Sequence, residues 1–199
     1  NANNVDTLFS TVTFLCDNMP PVSAVEVPAG GATYDSVAQI SGTAEDTSPG
    51  VLTKVWVAIN KDGTNFFWDG STWTDTGGEP VWHEASGLAS WTWDSSQVTW
   101  QNNTWYRVRS KAKDKAGNEE TAGSGNVFKF VLPAVELELT INANTTAGSA
   151  MDVTVTAKNQ EGTPALIYSK TVTWTSDDGQ AVLPSAYTFT TTDEGVHSW

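Results

Sequence analysis

Three sets of residues in this sequence have the types and spacing to bind something. Acidic side chains gather in turn segments, at Asp114, Glu119 and Glu120 with Asn118 among them, at Glu45 and Asp46, and at Asp177 and Asp178. Oxygens of that kind are what calcium takes, roughly six to eight of them at about 2.3–2.6 Å. None of these clusters has the spacing of a defined calcium loop. Calcium is therefore one expectation and solvated turns the other; no further cofactor is expected. Tryptophan forms the second set: Trp56, Trp68, Trp73, Trp82, Trp91, Trp93, Trp100 and Trp105 are eight of the ten in the chain and fall within a 50-residue window. Trp91 and Trp93 share one face of a strand, and Trp56 falls on the outer face of its own. Together these three make a candidate aromatic surface, suited to stack on sugars or to pack against another subunit. The competing reading is a supplementary core. The third set is Arg107, Arg109, Lys111 and Lys113, a stripe with four of the ten basic residues, placed to meet an acidic neighbour.

Catalytic chemistry finds little support. His83 and His197 lie far apart with no Cys or second His nearby, so neither a zinc site nor a Ser-His-Asp arrangement is suggested and no catalytic residue is assigned. No glycine-rich phosphate loop follows a strand and opens a helix. With 23 acidic against 10 basic residues the formal net charge is -13, which repels phosphate backbones and argues against a nucleic-acid partner. No apolar run approaches the roughly 18 residues of a membrane span, so no membrane insertion is expected. A signal peptide is either already removed or was never part of this piece. Cys16, the single cysteine, cannot form an intrachain disulfide and reads as a small buried apolar residue.

The elements that must hold these residues are strands. From Trp105 to Pro133, Tyr106, Val108, Ser110 and Ala112 alternate with the four basic residues; Asp114-Lys115-Ala116-Gly117-Asn118 turns the chain, and Val127 to Leu132 alternate on the way back. Further strands are expected at 22–27, 37–44, 51–60, 65–69, 72–75, 90–93 and 97–100. Along 51–60 the β-branched face of Val51, Thr53, Val55, Val57 and Ile59 points inward. The Trp68-Asp69-Gly70-Ser71-Thr72-Trp73 turn sets two indoles opposite each other across a hairpin. Short strands separated by Gly, Pro and Asn turns, with no helical period, imply an all-β fold of Ig-like antiparallel β-sandwich modules in tandem. The division expected is a strand at 1–19, from a preceding module or for exchange, a sandwich with a tryptophan-rich insertion at 20–133, and an incomplete sandwich at 134–199.

Residues 134–199, with TAGSAMDVTVTAKNQEG and KTVTWTSDDGQAVLPSAYTFTTTDEGVHSW, resemble the bacterial Ig-like repeats found in tandem in large surface and secreted proteins. Residues 20–133, with ISGTAED, WDGSTW and DKAGNEE, resemble a second kind of bacterial Ig-like or fibronectin-like module. The resemblance implies a non-catalytic structural or adhesive module on a bacterial or archaeal cell surface (surface layer, adhesin, sheath or filament). Its partners would be other copies or modules of the same protein, and glycans in some cases. Strand 7–16 could then complete the unit at 134–199 of the next subunit by strand exchange. The alternative is a carbohydrate-binding accessory module of a secreted hydrolase.

Overall fold

The computed structural model describes residues 16–141 and 148–199. The strand expected over 7–16 lies outside the described residues except for Cys16, which is exposed and in no strand. The expectation of a buried cysteine is therefore corrected. Its neighbours Asp17, Asn18 and Met19 form a polar, irregular lead-in that buries little, with Met19 itself 57% exposed.

Period-2 alternation becomes strands in order: β1 (Val22–Val27), β2 (Thr33–Tyr34), β3 (Gln39–Glu45), β4 (Leu52–Lys61), β5 (Phe66–Trp68), β6 (Trp73–Asp75), β7 (His83–Glu84), β8 (Ser86–Gly87), β9 (Ser90–Asp94), β10 (Thr104–Asp114) and β11 (Asn126–Phe130). They form two sheets, β1-β3-β9-β8 and β2-β11-β10-β4-β5-β6, with β7 also against β4. All neighbours are antiparallel except β2 and β11. The backbone of the second sheet is the β4–β10 ladder, which runs from Lys61 opposite Tyr106 to Leu52 opposite Asp114.

Between the sheets lies one core, with Ile40 and Trp91 from the first sheet and Val55, Val57, Ile59, Tyr106, Val108 and Phe128 from the second, all fully buried. Burying each such side chain contributes about 1.5–3 kcal/mol. Gly42 sits opposite Trp91 in register, where a Cβ would overlap Ala24 O and the indole. Glycine at that position makes room for the ring. The expected strand at 97–100 does not form. Val98 N–H instead donates to Ser95 O and Trp100 N–H to Val98 O, both at 3.0 Å, so a local turn takes the amides that a ladder would need.

The remaining strands are β12 (Ala134–Ile141), β13 (Val153–Asn159), β14 (Thr171–Val172), β15 (Tyr187–Thr188) and β16 (Val196–Ser198). They make a three-stranded sheet, β12-β13-β16, and a two-stranded one, β14-β15; among the described residues no ladder joins them to β1–β11. The alternation Tyr187-Thr188-Phe189-Thr190 suggests a strand of four residues, of which β15 keeps Tyr187–Thr188. Asp193 Oδ2 accepts from Thr190 N–H at 2.6 Å and from Thr190 Oγ1 at 2.9 Å, and this caps a 3-10 turn at Thr191–Asp193 that ends the strand. The chain is thus all-β, with an Ig-like antiparallel β-sandwich built on β1–β11.

Candidate functional site

The tryptophans divide between core and surface, and the division differs from the expected patch. Trp91 and Trp93 do share a face of β9, but that face is the inner one. Trp91 is fully buried and its Nε1–H donates to Thr43 O at 3.0 Å, while Trp93 packs against the core and lies 5.2 Å from the His83 ring. Alternation fixes which residues share a face; which face is covered depends on the opposing sheet. Trp68 and Trp73 are paired across the hairpin as expected, with ring centroids 5.5 Å apart. From Trp73 the aromatic contacts continue to Tyr106 at 5.0 Å, to Trp100 and on to Phe128 and Phe130. This is the supplementary core that the sequence offered as the competing reading.

Trp56 alone of the three candidates faces outward, and it is half-buried. Lys54 and Lys111 hold their ammonium groups 5.9 and 5.2 Å from its ring centroid, and Lys111 lies 4.8 Å from that of Trp82. Lys111 is therefore shared between two indoles, a cation–π arrangement. Trp82 had no strand pattern in the sequence to point to it.

The basic stripe lies along one face of β10, and its charges already meet groups of this chain. Arg107 Nε donates to Asp62 Oδ1 at 2.9 Å and Nη1 to Ser124 O at 2.7 Å. Lys111 pairs with Glu119 Oε1, and Lys113 lies 3.9 Å from Glu119 Oε2. The Arg109 guanidinium stacks over Phe67 at 5.5 Å, and its Nε is buried with no hydrogen-bond partner. Burial, with Arg107 beside it, pulls the Arg109 pKa down from its ordinary value.

The acidic clusters separate into different roles. Glu120 accepts from Ser23 N–H at 2.9 Å and Ala112 N–H at 3.0 Å, and Asp178 accepts from Gln180 N–H at 2.8 Å within its own turn. Asp46 and Asp114 come together from opposite ends of the sequence pattern, and Asp17 joins them; one carboxylate oxygen of each lies within 4.8 Å of the others. Asp17 was not a candidate from sequence, because nothing local links the lead-in to either turn.

The least satisfied surface is on β12. Val135, Leu137, Leu139 and Ile141 are 63%, 49%, 50% and 47% exposed, and they alternate with Glu136, Glu138 and Thr140. Leu137, Leu139 and Ile141 lie opposite Ala157, Val155 and Val153 of β13, which are buried. Beside it Tyr187, Phe189, His197 and Trp199 form an aromatic group, with Tyr187 stacked on His197 at 3.5 Å between centroids and His197 opposite Val155 of β13. Among the described residues β12 is also an edge of its sheet, so no described strand takes its outer N–H and C=O groups.

One cleft of about 570 Å³ is lined by Thr33, Lys129, Val131, Leu166, Ile167, Ser169, Thr191 and Glu194.

No protein-family model matches the chain, and no curated protein matches it. Among solved structures the chain is similar to the FN1–FN3 domains of chicken CNTN1, at 13% identity over 90% of this chain and 56% of that one, with a TM-score of 0.35. It is also similar to murine CRIg, at 12% identity over 56% of this chain and 97% of that one, with a TM-score of 0.27. Likenesses at these scores carry no functional argument. The fold class rests on the sheets themselves.

Proposed function

We propose that the chain is a non-catalytic structural or adhesive module of a bacterial or archaeal extracellular surface protein, and that copies join by β-strand exchange. The observation that supports this reading is the half-exposed apolar face of β12, a strand that lies at the edge of its sheet among the described residues. Exposed contiguous apolar rows mark interaction sites, and an extended segment added to a sheet edge gains ladder hydrogen bonds along its whole length. Residues 7–16 of a neighbouring copy have the alternating pattern such an added strand needs. Modules joined in this way transmit load through hydrogen-bond ladders in series, the mechanical task of a surface layer, sheath or filament. The carbohydrate-binding alternative loses its central ring, because Trp91 is inside the core.

Sedimentation velocity over a concentration series tests the proposal. The parent chain is expected to associate with rising concentration, and both the Leu137→Lys/Leu139→Lys variant and a chain starting at residue 16 are expected to stay monomeric. Undiminished association in both altered chains would refute strand exchange at β12.

A further inference from the structure

Asp17, Asp46 and Asp114 reach one point from three separate elements: the lead-in before β1, the turn after β3 and the end of β10. Asp114 is 2% exposed. Its Oδ1 accepts from Gly117 and Asn118 N–H at 2.7 and 2.8 Å, and its Oδ2 from Asn118 Nδ2 at 2.7 Å, so the carboxylate is held in place by donors of its own turn. Among the described residues no Lys, Arg or His forms an ion pair with any of the three acids.

Asp46 is the independent observation that points to a ligand. Both of its carboxylate oxygens are withdrawn from solvent, each with less than 1 Å² exposed, and neither has a hydrogen-bond partner. The residue as a whole is only half-buried, so it is the charged end that is turned inward. That end lies over Gly50, where a Cβ would overlap it. A buried, unpartnered carboxylate beside two others is costly unless something positive compensates it.

Asn118 Nδ2 donates to the backbone carbonyls of Asp17 and Met19 at 3.3 and 3.4 Å as well as to Asp114 Oδ2 at 2.7 Å, which ties the lead-in to the end of β10. We infer that Asp17, Asp46 and Asp114 bind a calcium ion. The set is all oxygen, with no His or Cys nitrogen or sulfur, which selects a hard cation over zinc or copper. Three carboxylates drawn from separate segments suit the larger and less exacting coordination of calcium better than the strict octahedron of magnesium. The ion would pin the lead-in to the sandwich and fix how β1 is entered. This inference is independent of the surface-module reading, since it concerns one chain and needs no second copy.

The test is calcium titration of the chelator-treated full chain by calorimetry, with thermal unfolding in parallel and magnesium at equal ionic strength as control. Binding at a Kd of about 0.1–1 mM, with a raised melting temperature that magnesium does not reproduce, is expected. Asp46→Asn should bind calcium at least tenfold more weakly and yet melt higher than the parent in chelator, because it removes the unpartnered charge. Asp17→Asn, in a segment outside the sheets, should weaken binding without unfolding the chain. No heat and no melting shift up to about 10 mM calcium, roughly tenfold above the expected range, would overturn the inference. So would parent-like binding by both variants.

Discussion

The strands of β1–β11 and those of β12–β16 follow the same period-2 pattern but dispose of their apolar faces differently. In the first group Val55, Val57 and Ile59 of β4 meet Trp91 and Ile40 from the facing sheet, and all are fully buried. In the second, the matching row on β12 stands about half exposed while its neighbours on β13 are covered. An apolar alternation therefore specifies a face that is suited to burial. Whether it is buried within the chain depends on what the rest of the chain lays over it, and the other sheet of this group, β14-β15, is only two residues wide in each strand.

Four experiments probe this contrast. The largest effect should come from Trp91→Ala, which empties the centre of the first core and should cost about 3–5 kcal/mol in urea denaturation. A loss below 1 kcal/mol would show that the sheets do not close on that ring. Trp73→Ala comes next, as it removes the outer partner of Trp68 and the link to Tyr106. The aromatic pairing alone is worth about 0.5–1.5 kcal/mol beyond the area lost, and the hairpin should become protease-sensitive while the β4–β10 ladder stays protected. Leu139→Ala should change the stability of the monomer by no more than about 0.5 kcal/mol, as at an exposed site. A cost of several kcal/mol in dilute solution would mean that β12 is covered within the chain.

The smallest effect is on acid stability. Asp69 is held well below its ordinary value of 3.8 by the Thr72 amide and then by Thr74 and Ser71, and Asp193 is held below its own by the Thr190 amide. A depressed folded-state pKa gives stability that is present above the unfolded-state value and lost as pH falls through the folded-state one. Stability measured by tryptophan fluorescence should therefore be level above about pH 5 and decline below about pH 4. Asp69→Asn should flatten the decline in the first group, and Asp193→Asn in the second.

Much of the fold was legible because strands declare themselves locally. The alternation along Thr104–Asp114, the turn at Asp114–Asn118 and the Trp68–Trp73 hairpin all depend on residues close in sequence, and each is found in the expected register. What the sequence did not contain was depth. Trp91 and Trp93 were read as a shared face, and the opposing sheet then covered it. The stripe on β10 was visible, but its pairing with Asp62 and Glu119 was not, because the partners come from other turns. The convergence of Asp17 with Asp46 and Asp114 was hidden for the same reason.

Hydrogen exchange read by mass spectrometry over a range of protein concentrations compares β12 directly with β10. The peptide spanning 134–141 should exchange fast in dilute solution and become protected as concentration rises, while the peptide spanning 104–114 is protected throughout. Equal protection of both peptides at every concentration would contradict an open face on β12 that a second copy completes.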